Sequence, residues 1–311
     1  MHLIFTSSYD ITTDMIVDRL GDRVLRVNND RPHDHEIQIH SEGYTISDPF
    51  GRQVSDQTLV TAILRKPAPK SNETEDQEVH AFREISAAHT GLLQLIAHKW
   101  PEKLPIHPSK IRDVVKFVQL DVAKPYFPTA PWSFTTHPER SGLKDDAVLK
   151  SIHGMPFSNA DENGNAKFIY VQNVKPSELA EGWPWFLQER IDARFDVTVL
   201  YVDGKMFAQR LDRQTFQGLD WRKYIGTEMD AGWENVALPE NLQQRIDAYM
   251  HKLGLRFGRL DFMAREEDLE AALFLEVNPN GQWAWMDMKM NNGIFDAMIE
   301  FLCQPASCET G

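Results

Sequence analysis

FLEVNPNGQW, residues 274–283, is the stretch of this sequence that decides its fold. In a strand, side chains two positions apart share a face, so Glu276 and Asn278 point one way and the apolar side chains between them enter the opposite layer. A carboxylate inside so apolar a run needs a counter-charge or a metal, because an unpaired buried ion is costly. The stretch therefore predicts a strand with a cation site on its polar face.

A second candidate strand, residues 258–263, carries Asp261 between apolar neighbours. If the two strands are neighbours, Asp261, Glu276 and Asn278 supply three hard oxygen ligands, the kind that Mg²⁺ accepts beside nucleotide phosphates. The alternative is that all three are ordinary polar groups of strands, with Asn280 and Gly281 forming a hairpin turn. Spacing alone does not choose between these interpretations.

Phosphoryl transfer also needs positive charge around the triphosphate, and four basic residues are candidates to provide it. Lys116 lies on a candidate helix, Lys150 ends a candidate strand at 147–150, and Arg210 and Arg222 follow further along the chain. Each could instead be a solvated surface cation, the commonest place for Lys and Arg. The Walker pattern of spaced glycines followed by Lys and Ser or Thr is absent, so a P-loop nucleotide site is not predicted.

Composition narrows the class of protein. With 311 residues, 42% of them hydrophobic, the chain is long enough for an enzyme-sized protein with a packed core. The formal charge of -13 argues against a nucleic-acid partner, whose phosphates need a basic face. Two cysteines give no disulfide framework, and no signal-peptide core or apolar run of membrane-spanning length occurs. These features predict a cytoplasmic protein with no membrane partner.

The hydrophobic pattern predicts an α+β protein of three units, residues 1–107, 108–185 and 186–311. The first should open with a βαβ-like segment and continue with a hairpin, a strand at 59–64, a loop at 67–77 and an amphipathic helix at 78–100. The second should begin with one helix that Ser109 caps and that runs to about residue 123, followed by a turn-rich subdomain. The third should contain strands and helices at these positions: 186–191, 196–202, 206–211, 238–252 (helix), 258–263, 273–278 and 294–301 (helix).

Residues 274–283 resemble the C-terminal signature of the ATP-grasp peptide ligases that make microviridins and related graspetides. That family also carries Arg-Arg-Pro after an early strand, where this chain has Arg65-Lys66-Pro67, and an Asp-Trp-Arg that residues 220–222 match. Residues 185–191 resemble the hinge between its two lobes. The resemblance runs in order from about residue 59 to 300. It implies an ATP-grasp fold, α+β or α/β, with an N-terminal pre-ATP-grasp domain and two lobes that enclose ATP.

The resemblance also implies a role for each matching residue. Lys116 and Lys150 would be the lysines of the first lobe, and Asp261, Glu276 and Asn278 would hold Mg²⁺. The remaining assignments are Gln188, Glu189, Arg190 and Ile191 around adenine, Asp196 near the ribose, Arg210 and Arg222 with Lys150 at the reacting phosphate, and Arg65, Lys66, Arg194 and Thr198 on the substrate side. Lys66 and Thr198 stand where relatives carry Arg, and neither can grip a carboxylate as a planar guanidinium does.

The implied function is a ligase that uses ATP and Mg²⁺ to activate a carboxylate as an acyl phosphate. It would form side-chain esters or amides in a ribosomally made precursor peptide, with a docked leader and a core containing acidic, hydroxyl or Lys residues. Relatives are often homodimers. Around His153-Gly154 and at 158–166 a lid is expected. One alternative is a ligase that joins an amino acid to a small acid or a protein end, similar to glutathione synthetase or ribosomal-protein glutamate ligases. Another is a degenerate nucleotide-binding regulatory protein.

Overall fold

A computed structural model describes residues 1–68, 75–152, 171–215, 219, 232–288 and 292–304 of the chain. Helices and four separate sheets occur together in this part, which confirms the predicted α+β class. No helix within the described ranges is long and apolar enough to cross a membrane. The predicted lid at 153–154 and 158–166 and the signature Asp-Trp-Arg, with Arg222, lie outside the described residues.

The N-terminal unit is built on a parallel sheet of three strands, in the order β2-β1-β6. The predicted βαβ opening is confirmed, and the long helix begins two residues earlier than predicted, at Asp76, while most of the predicted loop before it lies outside the described residues. Leu3, Leu25 and Ile96 belong to the core between this sheet and that helix. The elements are β1 (His2–Thr6), α1 (Ile11–Leu20), β2 (Val24–Asn28), the antiparallel β3 (Glu36–His40), β4 (Gly43–Ser47) and β5 (Gln53–Ser55), then β6 (Thr61–Leu64) and α2 (Asp76–Lys99).

The single helix predicted from Ser109 to about residue 123 is wrong, because the chain forms two helices there, α3 (Pro108–Asp113) and α4 (Lys116–Ala123). His107, and not Ser109, caps α3, since its side chain accepts a hydrogen bond from the Ser109 N–H. Val114 leaves the helical path, and its carbonyl oxygen accepts a 2.9 Å hydrogen bond from the Gln119 side-chain amide instead. The break makes Lys116 the first residue of α4.

The second sheet is antiparallel, in the order β7-β10-β8-β9, and is formed by β7 (Trp132–Thr135), β8 (Ala147–Lys150), β9 (Gln172–Val174) and β10 (Trp185–Glu189). Sequence placed β10 at 186–191 in the third unit, but it pairs with β7 and β8 of the second. The strand also ends at Glu189, two residues earlier than predicted. The division of the chain at 185 and 186 stays a prediction, although this pairing favours a boundary after Glu189.

The third sheet has five antiparallel strands in the order β13-β12-β11-β14-β15. The predicted strand 273–278 has the predicted bounds, and the other predicted strands and helices after residue 195 agree within two residues at each end. The elements are β11 (Phe195–Val202), β12 (Lys205–Asp212), β13 (Glu234–Asn235), α5 (Glu240–Leu253), β14 (Phe257–Ala264), β15 (Leu273–Asn278), α6 (Trp285–Met288) and α7 (Ile294–Cys303).

The two faces of this sheet contribute to different hydrophobic cores. Val197, Leu260 and Phe262 share one face and pack in a core with residues of α4 and α5. On the other face, Leu200 and Phe257 belong to a second core, which α7 shares with the N-terminal sheet. The rest of that second face is not covered by α7, and this is where the predicted polar side chains lie.

Candidate functional site

The predicted ligands depend on two strands being neighbours, and β14 and β15 do pair directly. Asp261 stands opposite Glu276, and Arg259 stands opposite Asn278. Directly opposed residues project from the same face of a sheet, so both carboxylates and the amide share one face. The register shifts between Asp261 and Phe262, and such bulges often re-aim a side chain beside an active site.

Two neighbours hold the Asp261 carboxylate. The Thr198 hydroxyl donates to Asp261 Oδ1 over 2.9 Å, and Arg259 Nη2 donates to Asp261 Oδ2 over 3.2 Å. Thr198 is buried on the adjacent strand β11, directly opposite Asp261. Its hydroxyl is therefore engaged by the carboxylate, where sequence predicted a contact with substrate.

Lys116 and Glu276 form an ion pair between α4 and β15, with 2.7 Å between Nζ and Oε2. Only 11% of the Lys116 side chain is exposed, against 41% for Glu276, whose carboxylate therefore borders open space. The nearby Lys116 ammonium is the main cause that holds the pKa of Glu276 below its usual value, with help from Lys150 and Arg259 and against the effect of burial. Glu276 is thus an anion at neutral pH.

Lys150 faces the same carboxylates from the second sheet. Its Nζ donates to Gln188 Oε1 over 2.6 Å. Burial, and then the charge of Lys116, lowers the pKa of Lys150 to about 8, while Glu276, Asp196 and Asp261 act in the opposite direction. The pKa of Lys150 is thus influenced by three carboxylates of the third sheet, although its own hydrogen bond stays within the second.

The strand end at Glu189 and the residues after it connect the second sheet to the third. The Glu189 N–H donates to Pro131 O over 2.8 Å, and the Arg190 side chain lies at the surface, 3.4 Å from Asp146. Ile191 is half-buried. Asp196, the first polar residue of β11 on the carboxylate face, is paired with Arg213 at 2.7 Å. Nothing in these contacts tests the predicted roles at adenine and ribose, which stay predictions.

Arg210, predicted at the reacting phosphate, and Arg194, predicted on the substrate side, do not lie beside Asp261 and Glu276, and their roles stay predictions. Arg210 is opposite Val197 on β11, so the alternation of a strand puts it on the other face of the sheet from Asp261. Its guanidinium lies 2.6 Å from Glu234 and 3.7 Å from Glu267. Arg194 pairs with Asp212 and Glu267, and both guanidinium groups lie over the ring of Phe195.

Arg65, predicted on the substrate side, is buried, and both of its amino groups donate inside the protein, which argues against a direct contact with substrate. Its Nη1 donates to Asn280 Oδ1 over 2.9 Å and its Nη2 to Gln282 Oε1 over 3.1 Å. The neighbouring Lys66 is half-buried, and burial together with the charge of Arg65 lowers its pKa to about 8. Of the predicted pair, Lys66 is the cation that stays open to a ligand.

The donor set fits Mg²⁺ in its chemistry. Two carboxylates and one amide oxygen are hard ligands, and Mg²⁺ takes one or two carboxylates together with phosphate oxygens and water. The part of the chain that the structure describes holds no group of three or more His, Cys, Asp and Glu residues suited to a metal. A site with Asp261, Glu276 and Asn278 has only two such residues, so it relies on a nucleotide to complete the coordination.

Comparison with solved structures identifies this fold. A Chryseobacterium gregarium RiPP-associated ATP-grasp ligase, in complex with ADP and a leader and core peptide, superposes with a TM-score of 0.80 at 20% identity over 98% of each chain. The chain has the ATP-grasp fold. The macrocyclase MdnC from Microcystis aeruginosa, bound with the precursor peptide MdnA, gives a TM-score of 0.77 at 18% identity over 97% of this chain and 98% of its own. The ligase PsnB, complexed with a variant of its minimal precursor, Mg and ADP, gives 0.70 at 16% identity over 97% of each chain.

The resemblance to graspetide synthetases is thus confirmed at the level of the ATP-grasp fold. No protein-family model matches the sequence, and no curated protein matches it either.

Sequence analysis missed two residues that shape the cleft of this ATP-grasp fold. Arg259 shares the face of Asp261 two positions away, so strand alternation alone could have identified it. Gln119 accepts a 3.0 Å hydrogen bond from the Val277 N–H, which ties α4 to β15. Because Gln119 and Lys116 are three apart on α4, this bond fixes the position of Lys116 relative to Glu276. No local pattern marks such a long-range contact.

Proposed function

We propose that this protein is an ATP- and Mg²⁺-dependent carboxylate ligase that forms side-chain ester or amide links in a precursor peptide. The observation that carries the proposal is the placement of Asp261 opposite Glu276, with Lys116 and Lys150 facing them from other elements. An ATP-grasp fold around this cleft supports nucleotide binding. The peptide substrate is supported by the neighbours in fold, several of which are complexed with precursor peptides.

In this proposal Asp261, Glu276 and Asn278 hold the metal. When bound, Mg²⁺ neutralises phosphate charge and polarises the transferred phosphoryl group. Lys150 extends from the second sheet toward the same cleft and would bind phosphate oxygens as a point charge. Lys116, which pairs with Glu276, would also contact the phosphates. The segment after β10 would border the base, as the resemblance implies.

The chemistry proceeds in two steps with no nucleophile from the protein. A substrate carboxylate oxygen attacks the γ-phosphorus, the bond from that phosphorus to the β–γ bridging oxygen breaks, and ADP leaves with an acyl phosphate remaining. A hydroxyl or amine then attacks the acyl carbon, loses its proton, and releases inorganic phosphate. The peptide loses one water for each link formed. The half-buried Lys66 would contact the acidic side chain, because a cation under the influence of Arg65 and Arg259 favours an anion.

Mass spectrometry of a candidate precursor, incubated with the protein, ATP and Mg²⁺, tests the proposal. A suitable candidate is a short peptide rich in Thr, Ser, Asp and Glu that is encoded beside the gene. We expect losses of water from the peptide together with ADP release, and neither with Asp261→Asn. Stimulation of ADP release by free amino acids, with the peptide unchanged, would instead indicate a small-molecule ligase. Failure to bind nucleotide in the presence of Mg²⁺ would contradict both and favour a regulatory protein.

A further inference from the structure

The turn that follows β15 holds the amide oxygen of Asn278 in place. The Asn280 N–H donates to Asn278 Oδ1 over 3.2 Å, and the Gly281 N–H donates to the Asn278 carbonyl over 3.1 Å. Pro279 fixes its own φ between these residues. An amide oxygen has two lone pairs, so one can accept from Asn280 while the other stays directed to a ligand. The direction of Asn278 therefore depends on where Asn280 lies.

Asn280 is in turn fixed by the end of β6 in the N-terminal unit. Its Oδ1 accepts from Arg65 Nη1, and its Nδ2 donates to the carbonyl oxygens of Leu64 and Arg65. The second Arg65 amino group donates to Gln282 Oε1, which also accepts a 2.9 Å hydrogen bond from the Thr12 hydroxyl. Asn280 and Gln282, which lie 215 and 217 positions from Arg65 along the chain, are thus joined to one guanidinium.

The charge of Arg65 is opposed by Asp10, and both side chains are inaccessible, with 1% and 0% of their surface exposed. The distance from Arg65 Nε to Asp10 Oδ2 is 3.7 Å, while Thr6 and Thr13 donate to the same oxygen over 2.9 and 2.6 Å. Removing two charges from water costs about as much as their attraction returns, so a buried pair is poorly explained by stability alone. Its better-attested use is to specify one geometry.

The opposite side of the turn contacts Arg259. A Cβ on Gly281 would lie 2.8 Å from the Cβ of Arg259, and Arg259 Nη1 donates to the Gln282 carbonyl over 3.1 Å. The same Arg259 donates to Asp261. The turn therefore lies between two arginines with no room to shift, and one of these arginines also holds the other strand's carboxylate.

We propose that Arg65 is a positioning residue for the metal site, so that the N-terminal unit sets metal affinity although it supplies no metal ligand. This inference rests on the proposed function, because it takes Asn278 as a ligand. Arg65 acts through Asn280 on the amide oxygen of Asn278 and does not touch metal, nucleotide or substrate. Outer partners that orient ligands change metal affinity by about 10- to 100-fold when they are removed.

The test is the binding of Mn²⁺, detected by electron paramagnetic resonance in the presence of ADP, to an Asp10→Asn plus Arg65→Met double variant. This change removes both buried charges, so neither charge is left buried without its partner. We expect Mn²⁺ affinity to fall by about tenfold or more, with metal-free ADP binding changed by less than about twofold. Asp48→Asn plus Arg52→Met is the matched control, because it removes a pair of the same unit, at 2.6 Å, that is remote from the turn.

Asn280→Ala keeps the Arg65–Asp10 pair and removes the side-chain hydrogen bonds that join the turn to Arg65 and to the end of β6, so it decides the question if the double variant does not fold. A folded double variant, or Asn280→Ala, that binds Mn²⁺ within about twofold of the wild type would overturn the inference. An equal loss in the Asp48 and Arg52 control would do the same. If the wild type itself binds neither ADP nor Mn²⁺, the proposed function fails first, and the two failures are thereby distinguished.

Discussion

Replacing Glu276 by Gln is the most direct perturbation of the proposed metal site. The change keeps the shape of the side chain but removes the charge that pairs with Lys116 at 2.7 Å and that would bind the metal. Glu270→Gln is a matched control. Glu270 pairs with Arg245 at 2.9 Å with side-chain exposures of 37% and 24%, similar to those of Glu276 and Lys116, but away from the cleft.

The expected magnitudes follow from these exposures. Breaking a fully buried ion pair costs about 3–5 kcal/mol, but 41% of the Glu276 side chain is exposed, so solvent screens its charge. We expect a loss of about 1–2 kcal/mol of folding stability for Glu276→Gln, and about 1 kcal/mol or less for Glu270→Gln. Only the first should weaken metal binding, and by about tenfold or more.

Thermal unfolding measures the loss of folding stability. Calorimetric titration with a non-hydrolysable ATP analogue, with and without Mg²⁺, measures the loss of metal binding. Mg²⁺ should raise the nucleotide affinity of the wild type by a larger factor than that of Glu276→Gln. The reasoning is refuted if the two factors agree within about twofold. It is also refuted if Glu270→Gln loses as much. The pKa of Glu276 is lowered from 4.5 in the folded protein, so its contribution to stability is present above that value and is lost as pH falls further. The stability difference should therefore disappear in acid.

Three further variants test other parts of the cleft. Because the pKa of Lys150 is lowered to about 8, its charge is present below that pH and lost above it. Calorimetry should therefore show that the nucleotide affinity of the wild type falls as pH rises through 8. The affinity of Lys150→Arg should not fall over this range. Thr198→Val removes the hydroxyl that holds Asp261 and should weaken Mg²⁺ binding by about 1 kcal/mol in the same titration, with Thr198→Ser restoring it. Arg210→Ala, on the opposite face, should leave nucleotide affinity within about twofold, and a larger loss would show that this arginine reaches the phosphates.

The polar face of the third sheet could be predicted from sequence because it depends only on strand alternation. Residues 275–278 alternate apolar and polar side chains, and the predicted bounds of β15 agree with the structure. The same rule predicts which residues accompany Asp261 on β14 once that strand is identified. Spacing did not show whether the two strands are neighbours. Their pairing is seen only in the three-dimensional structure.

The errors have physical causes that a local pattern does not contain. The helix break after α3 arises because Val114 gives its carbonyl to a side chain, although its own sequence neighbours permit a helix. Arg210 was assigned to the phosphates by resemblance; its register with Val197 puts it on the other face of the sheet from Asp261, and the assignment stays a prediction. Arg65 was assigned to substrate for the same reason, and the two residues that accept from its amino groups lie more than 200 positions along the chain.

Contacts between different parts of the fold join several of the residues discussed here. Lys116 of α4 reaches Glu276 of the third sheet, Lys150 faces carboxylates of that sheet from the second, and Arg65 of the N-terminal unit fixes the turn after Asn278. A like-charged cluster such as Asp261 and Glu276 is tolerable only with cations close by. If the proposed site holds a metal, perturbing the contacts between these parts of the fold should therefore change metal binding even where no ligand is altered.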